Sequence, residues 1–391
     1  VQTITDRQRR QRLGARHDLA TPGRDAAGVA ADLVGLHSSD PTSVYLSARA
    51  RLDRFVVEDL ERLLYDSRDL VRVVGMRKTL WVLPTAWGAT ITRLYAERNA
   101  TPERKRLERM LLDQGITPDP ENWLGRVLDS ILHHLVDRGP LLAAQLSTLV
   151  PELGIRLRFG VGATATSVAI GTRALFLLAA GGRVVRARPA GSWVSGTYRW
   201  AATETWLGTR LLDERSIEEC RRLLVDAWLH AYGPGTVDDI AWWSGLPKNQ
   251  IRATLDAIGA IEVRLEEGIG WVAPDDDGID PNPPPWVALL PSLDPSAMGW
   301  KQRTFYLGDH RPKVFDRNGN AGATVWVDGR VVGAWGQTPS GSIAIRLLED
   351  VGGEAVDAIH QQANRLEHWL RPTRYRPRFA AEADSRLQRG E

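Results

Sequence analysis

The most constraining stretch of this chain is GPGTVDDIAWWSGLPKNQIRATLDAIGAIEVRLEEGIGWVAP, at 233–274. Thr236 stands where a side-chain oxygen caps a helix, and the apolar spacing beyond it predicts a short helix from Val237 to Trp243. Gly245 permits a sharp turn, Pro247 opens a second helix, and two segments rich in β-branched residues flank Glu267-Gly268 as a hairpin. Helix, turn, helix, hairpin is the order of a winged helix.

The same rhythm occurs earlier. Gly139-Pro140 precedes a helix LLAAQLSTLV, ATATSVAIGTRALFLLAAGG reads as a longer helix, and RVVRARPAGSWVSGTYRWA reads as two strands around Gly191. Near the N-terminus AAGVAADLVGLHSS and VEDLERLLYD read as helices and LVRVVGMRKTLWVLP as strand-rich, which makes a third copy. Repetition of one supersecondary unit predicts a tandem array. The acidic, proline-rich run PDDDGIDPNPPPW cannot continue a helix and marks a boundary. Beyond it WVALLPSLD, RTFYLG, ATVWVDGRVVGAWGQ and GSIAIRLLED alternate apolar and polar residues around Asp328-Gly329, as strands of a small barrel would, and EAVDAIHQQANRLEHWL reads as a closing helix. The tail after Arg371 is basic and is expected to be loosely held. The expected architecture is therefore α+β: winged-helix units over 1–120, 121–205 and 206–275, then a β-barrel with a C-terminal helix over 281–391.

Composition narrows the function classes. Apolar residues at 43% and charged residues at 25% describe a folded globular chain. Cys220 is the single cysteine, which excludes an internal disulfide, a cysteine-based zinc site and an iron–sulfur cluster, and fits a reducing compartment. No run approaches the ~18 apolar residues of a membrane span, and VQTITDRQRRQRLGARHDLA lacks the apolar core of a signal peptide, so a cytoplasmic protein is expected. A net charge of +2 does not announce a polyanion partner. Several winged helices nevertheless favour nucleic acid, because the motif sets a helix in a groove and a hairpin on the backbone. Protein docking is the rival use, and the second helix at 247–259 carries Lys248 and Arg252 against Asp256.

The segments GLHSSDPTSVYLSARARL, MRKTLWVLP, GPGTVDDIAWWSGL, LLPSLDPSAMGWKQRTFYL and KVFDRNGNAGATVWVDGRVVGAWG, in this order from about residue 25 to about 370, resemble the AlkZ/YcaQ family of bacterial DNA glycosylases. The resemblance implies three tandem winged helices around a DNA-binding face and a C-terminal barrel that grips the duplex. It implies hydrolysis of the N-glycosidic bond of N7-alkylated purines, including bulky adducts made by antibiotic producers, in base excision repair and self-resistance. The substrate would be double-stranded DNA, with no cofactor and no metal, and the protein is expected to act as a monomer. A catalytically inactive winged-helix DNA-binding regulator is the alternative.

Family members carry a Gln-x-Gln or Gln-x-Asp triplet that handles the water. Here the aligned triplet is His37, Ser38 and Ser39. An imidazole that is neutral can accept a hydrogen bond from water, so His37 is the expected water-handling group, Ser39 its neighbour and Asp40 a reserve carboxylate. The competing readings are a helix-end histidine, an ordinary helix-end serine and, for an aspartate before Pro41, a helix cap. Arg77 and Lys78 fall in a stretch matched to the family and are assigned to phosphate contact, against a solvated strand end. Lys301, Arg303, Arg311, Lys313 and Arg317 are dense enough for a basic DNA-tracking surface, against a salt-bridge network with Asp309 and Asp316. Trp300 and Trp193 are candidates for stacking on DNA or on core neighbours, whereas Trp242, Trp243, Trp326 and Trp335 read as interior. No Lys lies in the HSSD segment, so a monofunctional enzyme is expected.

Overall fold

A computed structural model describes residues 1–159, 166–276 and 282–391. Residues 277–281 of the acidic connector, and 160–165 before the central helix, lie outside the described residues. The chain forms two compact units, one made of Val1–Leu60 with Arg221–Glu391 and the other of Glu61–Cys220.

In the first unit the 233–274 pattern takes the expected element order. Thr236 caps helix Val237–Ser244 by accepting from the Asp239 amide, and Asp239 returns a carboxylate to the Thr236 amide. Gly245 closes that helix in the left-handed conformation, and helix Lys248–Ile258 follows directly after Pro247. Strands Ile261–Leu265 and Gly268–Val272 pair antiparallel, and the N-terminal strand Gln2–Thr3 adds to the free edge in parallel. Ile4, Val263, Leu265 and Val272 form a small core under this sheet.

The C-terminal part is an open sheet and not a closed barrel. Strands Val287–Leu290, Thr324–Val327, Arg330–Gln337 and Ile343–Leu347 run antiparallel in that order. Asp328 (φ 47°) and Gly329 (φ 82°) make the tight hairpin turn between the middle two. A Cβ on Gly329 would meet the Arg10 Cβ at 2.6 Å, so only glycine fits there. The expected strand RTFYLG is a one-turn helix, Thr304–Leu307, because Phe305, Tyr306 and Leu307 are all buried in succession. A strand would turn every second one outward. Helix Gly353–Leu370 packs on strands Val287–Leu290 and Ile343–Leu347. The tail expected to be loose is docked: helix Glu382–Gln388 packs on strand Arg330–Gln337, and Tyr375 is buried, stacked on Trp335 at 5.2 Å.

The second unit is mainly helical. Helices Thr85–Asp113, Pro120–Arg138 and Ile170–Ala180 bury Leu107, Leu111, Leu124, Ile131 and Leu178 in one core. Hairpin Leu70–Val74 with Leu80–Pro84 is the strand-rich segment expected near Met76. Strands Val184–Pro189 and Tyr198–Ala202 pair around Gly191 as expected. The long helix expected over this region begins only at Ile170. The preceding Thr166–Ala169 is instead a strand paired with Arg156–Phe159.

Candidate active site

The His-Ser-Ser triplet sits between two short helices of the first unit. Asp25 caps helix Ala26–Asp32 through the Gly28 amide, Val34 and Gly35 take positive φ, and the chain turns into the extended pair Leu36–His37. Asp40 then caps helix Pro41–Arg49, with proline at its first position. Asp40 Oδ1 accepts from the Thr42 amide at 3.0 Å and from Thr42 Oγ1 at 2.5 Å, and Oδ2 accepts from the Arg378 amide at 2.8 Å. The buried carboxylate thus acts as the helix cap that the Asp-Pro pair suggests.

His37 is 4% exposed, Ser38 is buried, and Ser39 is the half-buried member of the triplet. The Ser39 amide donates to His37 Nδ1 at 3.5 Å, which makes Nδ1 an acceptor. That bond is long enough for a better placed donor to compete for the same lone pair.

Helix Pro41–Arg49 is anchored by groups from the other end of the chain. Ser43 Oγ donates to the Ser292 carbonyl at 2.5 Å, and Ser47 Oγ to Asp294 Oδ2 at 2.7 Å. Just past the helix, Arg51 forks onto Asp294, Nη1 to Oδ2 at 2.9 Å and Nη2 to Oδ1 at 2.7 Å, with both side chains 0% exposed. Its remaining N–H groups donate to the His17 and Ser47 carbonyls and to Ser296 Oγ, so all five are used. Burial pushes the Asp294 carboxyl upward, but the Arg51 charge and its hydrogen bonds outweigh this and hold it below the usual range. His17, closed in by the same cluster, is driven down to about 3 by burial and then by Arg51. It stays neutral, its Nε2–H donating to the Ala231 carbonyl and its Nδ1 accepting from Ser296 Oγ.

This anchor escaped the sequence reading. Its one visible trace is that Ser-Ser-Asp-Pro at 38–41 and Ser-Leu-Asp-Pro at 292–295 share a grammar, since Asp294 caps helix Pro295–Met298 as Asp40 caps its own.

The other expected contacts divide by burial. Trp300 is 2% exposed, donates Nε1–H to the Tyr232 carbonyl at 3.1 Å, and packs edge-on against Phe305 at 5.1 Å and Tyr232 at 5.3 Å. It is core and cannot stack on a base. Arg303 is likewise buried, between the rings of Trp242 and Phe315 at 4.6 and 4.5 Å, so it offers no guanidinium to a phosphate. Trp193 is also buried. Lys301 is exposed, with Nζ 2.9 Å from Asp238, and Lys313 pairs with Glu382 at 3.3 Å. Arg311 and Arg317 are exposed and carry no ion pair among the described residues. The rival network fails at Asp316, whose oxygens accept from Asn318 and Asn320 of its own loop. In the second unit Arg77 and Lys78 occupy the turn of hairpin 70–84, both with positive φ, and Lys78 Nζ pairs with Glu103 at 3.0 Å.

The fold and this site define an α+β, helix-rich protein in which the turn at 37–40 leads into a helix tied to Ser292 and Asp294 of the C-terminal part. The structure resembles that of the Streptomyces sahachiroi DNA glycosylase AlkZ, with a TM-score of 0.73, 20% identity, and coverage of 94% of this chain and 96% of that one. The AlkZ-like DNA glycosylase family model matches residues 30–369, and the chain belongs to that family. It is accordingly a DNA glycosylase, with DNA as its substrate. No curated protein matches the chain by sequence.

Proposed function

We propose that the protein is a monofunctional glycosylase that releases N7-alkylated guanine, bulky adducts included, from duplex DNA, in base excision repair and in self-resistance to a DNA-alkylating natural product. Its winged-helix segments, Val237–Val272 among them, hold the duplex, and it works as a monomer. The observation that carries the catalytic part is the triplet itself: an acceptor nitrogen on His37, 3.5 Å from the Ser39 amide, beside a half-buried hydroxyl at Ser39, on a turn locked by Asp40.

Alkylation at N7 leaves the purine cationic, so the bond to the sugar is already weakened. As it breaks, its electron pair goes to N9 of the departing base, and the sugar gains oxocarbenium character. Ser39 Oγ and His37 Nδ1 orient a water toward the anomeric carbon. The water's oxygen forms the new bond and its proton passes to the imidazole, a contribution of about 10²–10⁴-fold in rate. Asp40 positions this turn and does not touch the sugar. Ser39, half-buried and small, is the position at which a bulky substituent on the base would be accommodated. Arg311, Arg317, Lys301 and Lys313, and in the second unit Arg77 and Lys78, take the phosphates, the lysines by exchanging their carboxylate partners for the backbone.

The test is alkaline strand cleavage at a single N7-methylguanine, and at a bulkier N7 adduct, in duplex DNA. His37→Ala and Ser39→Ala should each lower base release by at least tenfold while binding to undamaged duplex is kept. Normal release by both variants removes the triplet from the mechanism, and wild-type protein that binds DNA yet releases no base from either adduct sinks the proposal.

A further inference from the structure

Helix Pro41–Arg49 ends on a second feature that the excision site does not use. Within the first unit a cleft of ≈ 960 Å³ runs along helix Gly353–Leu370 and is lined by Arg49, Arg365, Phe55 and Trp369. Arg49 is half-buried, its guanidinium lies 5.7 Å from the Trp369 ring centroid, and its Nε is buried without a hydrogen-bond partner. Burial, and after it the like charge of Arg365, draws the Arg49 guanidinium down to about 10. Neither arginine forms an ion pair among the described residues, in contrast to Arg51 just past the same helix. The two like charges repel, and Arg49 Nε, buried in the cleft wall, lacks the acceptor that a guanidinium N–H needs, whereas Arg365 is exposed.

The carboxylates of the cleft do not answer them. Asp18 faces Asp32, Arg51 and Arg24, and Glu354 lies eleven residues along the helix from Arg365, about 16 Å away at 1.5 Å per residue. Asp53 also lines the cleft and forms no ion pair among the described residues, and Asp328, the fourth lining carboxylate, accepts from the Trp286 amide through Oδ1 at 2.8 Å.

We propose that Arg49 and Arg365 form a phosphate-binding subsite, and that the phosphate is one of the DNA backbone. A phosphate dianion or diester supplies an acceptor for the buried Arg49 Nε and relieves the repulsion between the two guanidinium groups. Arg49 follows Asp40 by nine residues of helix, about 13 Å at 1.5 Å per residue, so the two backbone positions are separated by at most about four base pairs of axial rise. The DNA source rests on the glycosylase reading above, whereas the subsite itself does not.

The experiment uses the intact protein, Arg49→Gln, Arg365→Gln and the double variant, with a thermal melt to show that each is folded. Arg365 is exposed, so its single variant remains usable if Arg49→Gln misfolds. Binding of an undamaged duplex is followed across salt by fluorescence anisotropy, and binding of inorganic pyrophosphate by calorimetry. Loss of pyrophosphate binding, with the log–log salt slope for DNA falling by about 0.9, supports a backbone contact. Loss of pyrophosphate binding with an unchanged DNA slope supports the subsite but assigns it to a free phosphorylated ligand. Wild type and variants alike in both measurements would overturn it. Because undamaged DNA is used, none of these results depends on base release.

Discussion

Replacing Arg51 by Met tests how helix Pro41–Arg49 and the turn before it are held. The change removes five hydrogen-bond donors and one buried charge, and leaves Asp294, at 0% exposure, with only Ser47 Oγ and the Ser296 amide as partners. Breaking a buried ion pair from one side costs about 3–5 kcal/mol, mostly because the remaining charge is left uncompensated. For a unit of this size that corresponds to a fall in Tm of about 10 °C. The double variant Arg51→Met with Asp294→Asn removes the stranded charge while keeping the amide oxygen as a helix cap, and should recover about half of the loss. The loss should also shrink with acidification. In the wild type the depressed Asp294 carboxyl contributes stability above its unfolded pKa, and that contribution fades as pH falls through the folded value. In Arg51→Met the stranded carboxyl takes up a proton more readily, which relieves the variant in the same direction. Urea midpoints followed by tryptophan fluorescence at pH 8, pH 5 and pH 3, with matched m-values, measure each quantity, the wild-type fade appearing only below about pH 4. A loss under about 1 kcal/mol at pH 8, or a double variant no more stable than the single one, would refute the argument that this pair is what braces helix Pro41–Arg49.

Three further outcomes are expected. Trp300→Ala should destabilise by about 3–5 kcal/mol and leave the salt dependence of DNA binding unchanged, since the ring is core; a lower slope in a folded variant would return it to the DNA surface. Arg311→Gln with Arg317→Gln should reduce the log–log salt slope by up to about 0.9 for each phosphate that the pair neutralises, whereas Arg303→Gln should lower Tm without changing the slope. Burial raises the Asp384 carboxyl to about 7, against the backbone amides that favour its charged form. A raised folded pKa gives stability that is complete below the unfolded value near 4 and is lost as pH climbs toward 7. Asp384→Asn should therefore flatten the decline in Tm between pH 4 and pH 8 that this residue causes, and an unaltered pH profile counts against the assignment.

Local chemistry made much of the fold readable. Thr236, Gly245 and Pro247 act within four residues of themselves, through a cap, a left-handed turn and a fixed φ, and the elements appear where those signals place them. Asp328-Gly329 is the same kind of signal. The segment RTFYLG misleads because its apolar residues are consecutive, and a consecutive apolar run is compatible with a buried strand or a buried helical turn. Barrel closure would have required pairing between edge strands far apart in sequence, for which no local residue is a signal. Likewise Arg51 and Asp294 are 243 positions apart, and nothing in the neighbourhood of either announces the other.

The basic stretch 301–317 shows why density along the chain is a poor guide to a surface. Two one-turn helices, Thr304–Leu307 and Arg311–Val314, redirect the backbone within those positions. Arg303 is turned inward between two rings, Lys313 toward Glu382, and only Arg311 and Arg317 stand exposed without an ion pair among the described residues. Arg49 presents the opposite case. It lies in the apolar-patterned helix PTSVYLSAR, where a single terminal arginine reads as an ordinary solvated helix end. The proposed phosphate subsite rests on Arg365 lining the same cleft, and on the lack of any carboxylate paired with either among the described residues. For a DNA-handling chain of nearly neutral net charge, the cations to test are thus those the fold leaves without a carboxylate, wherever they fall in the sequence.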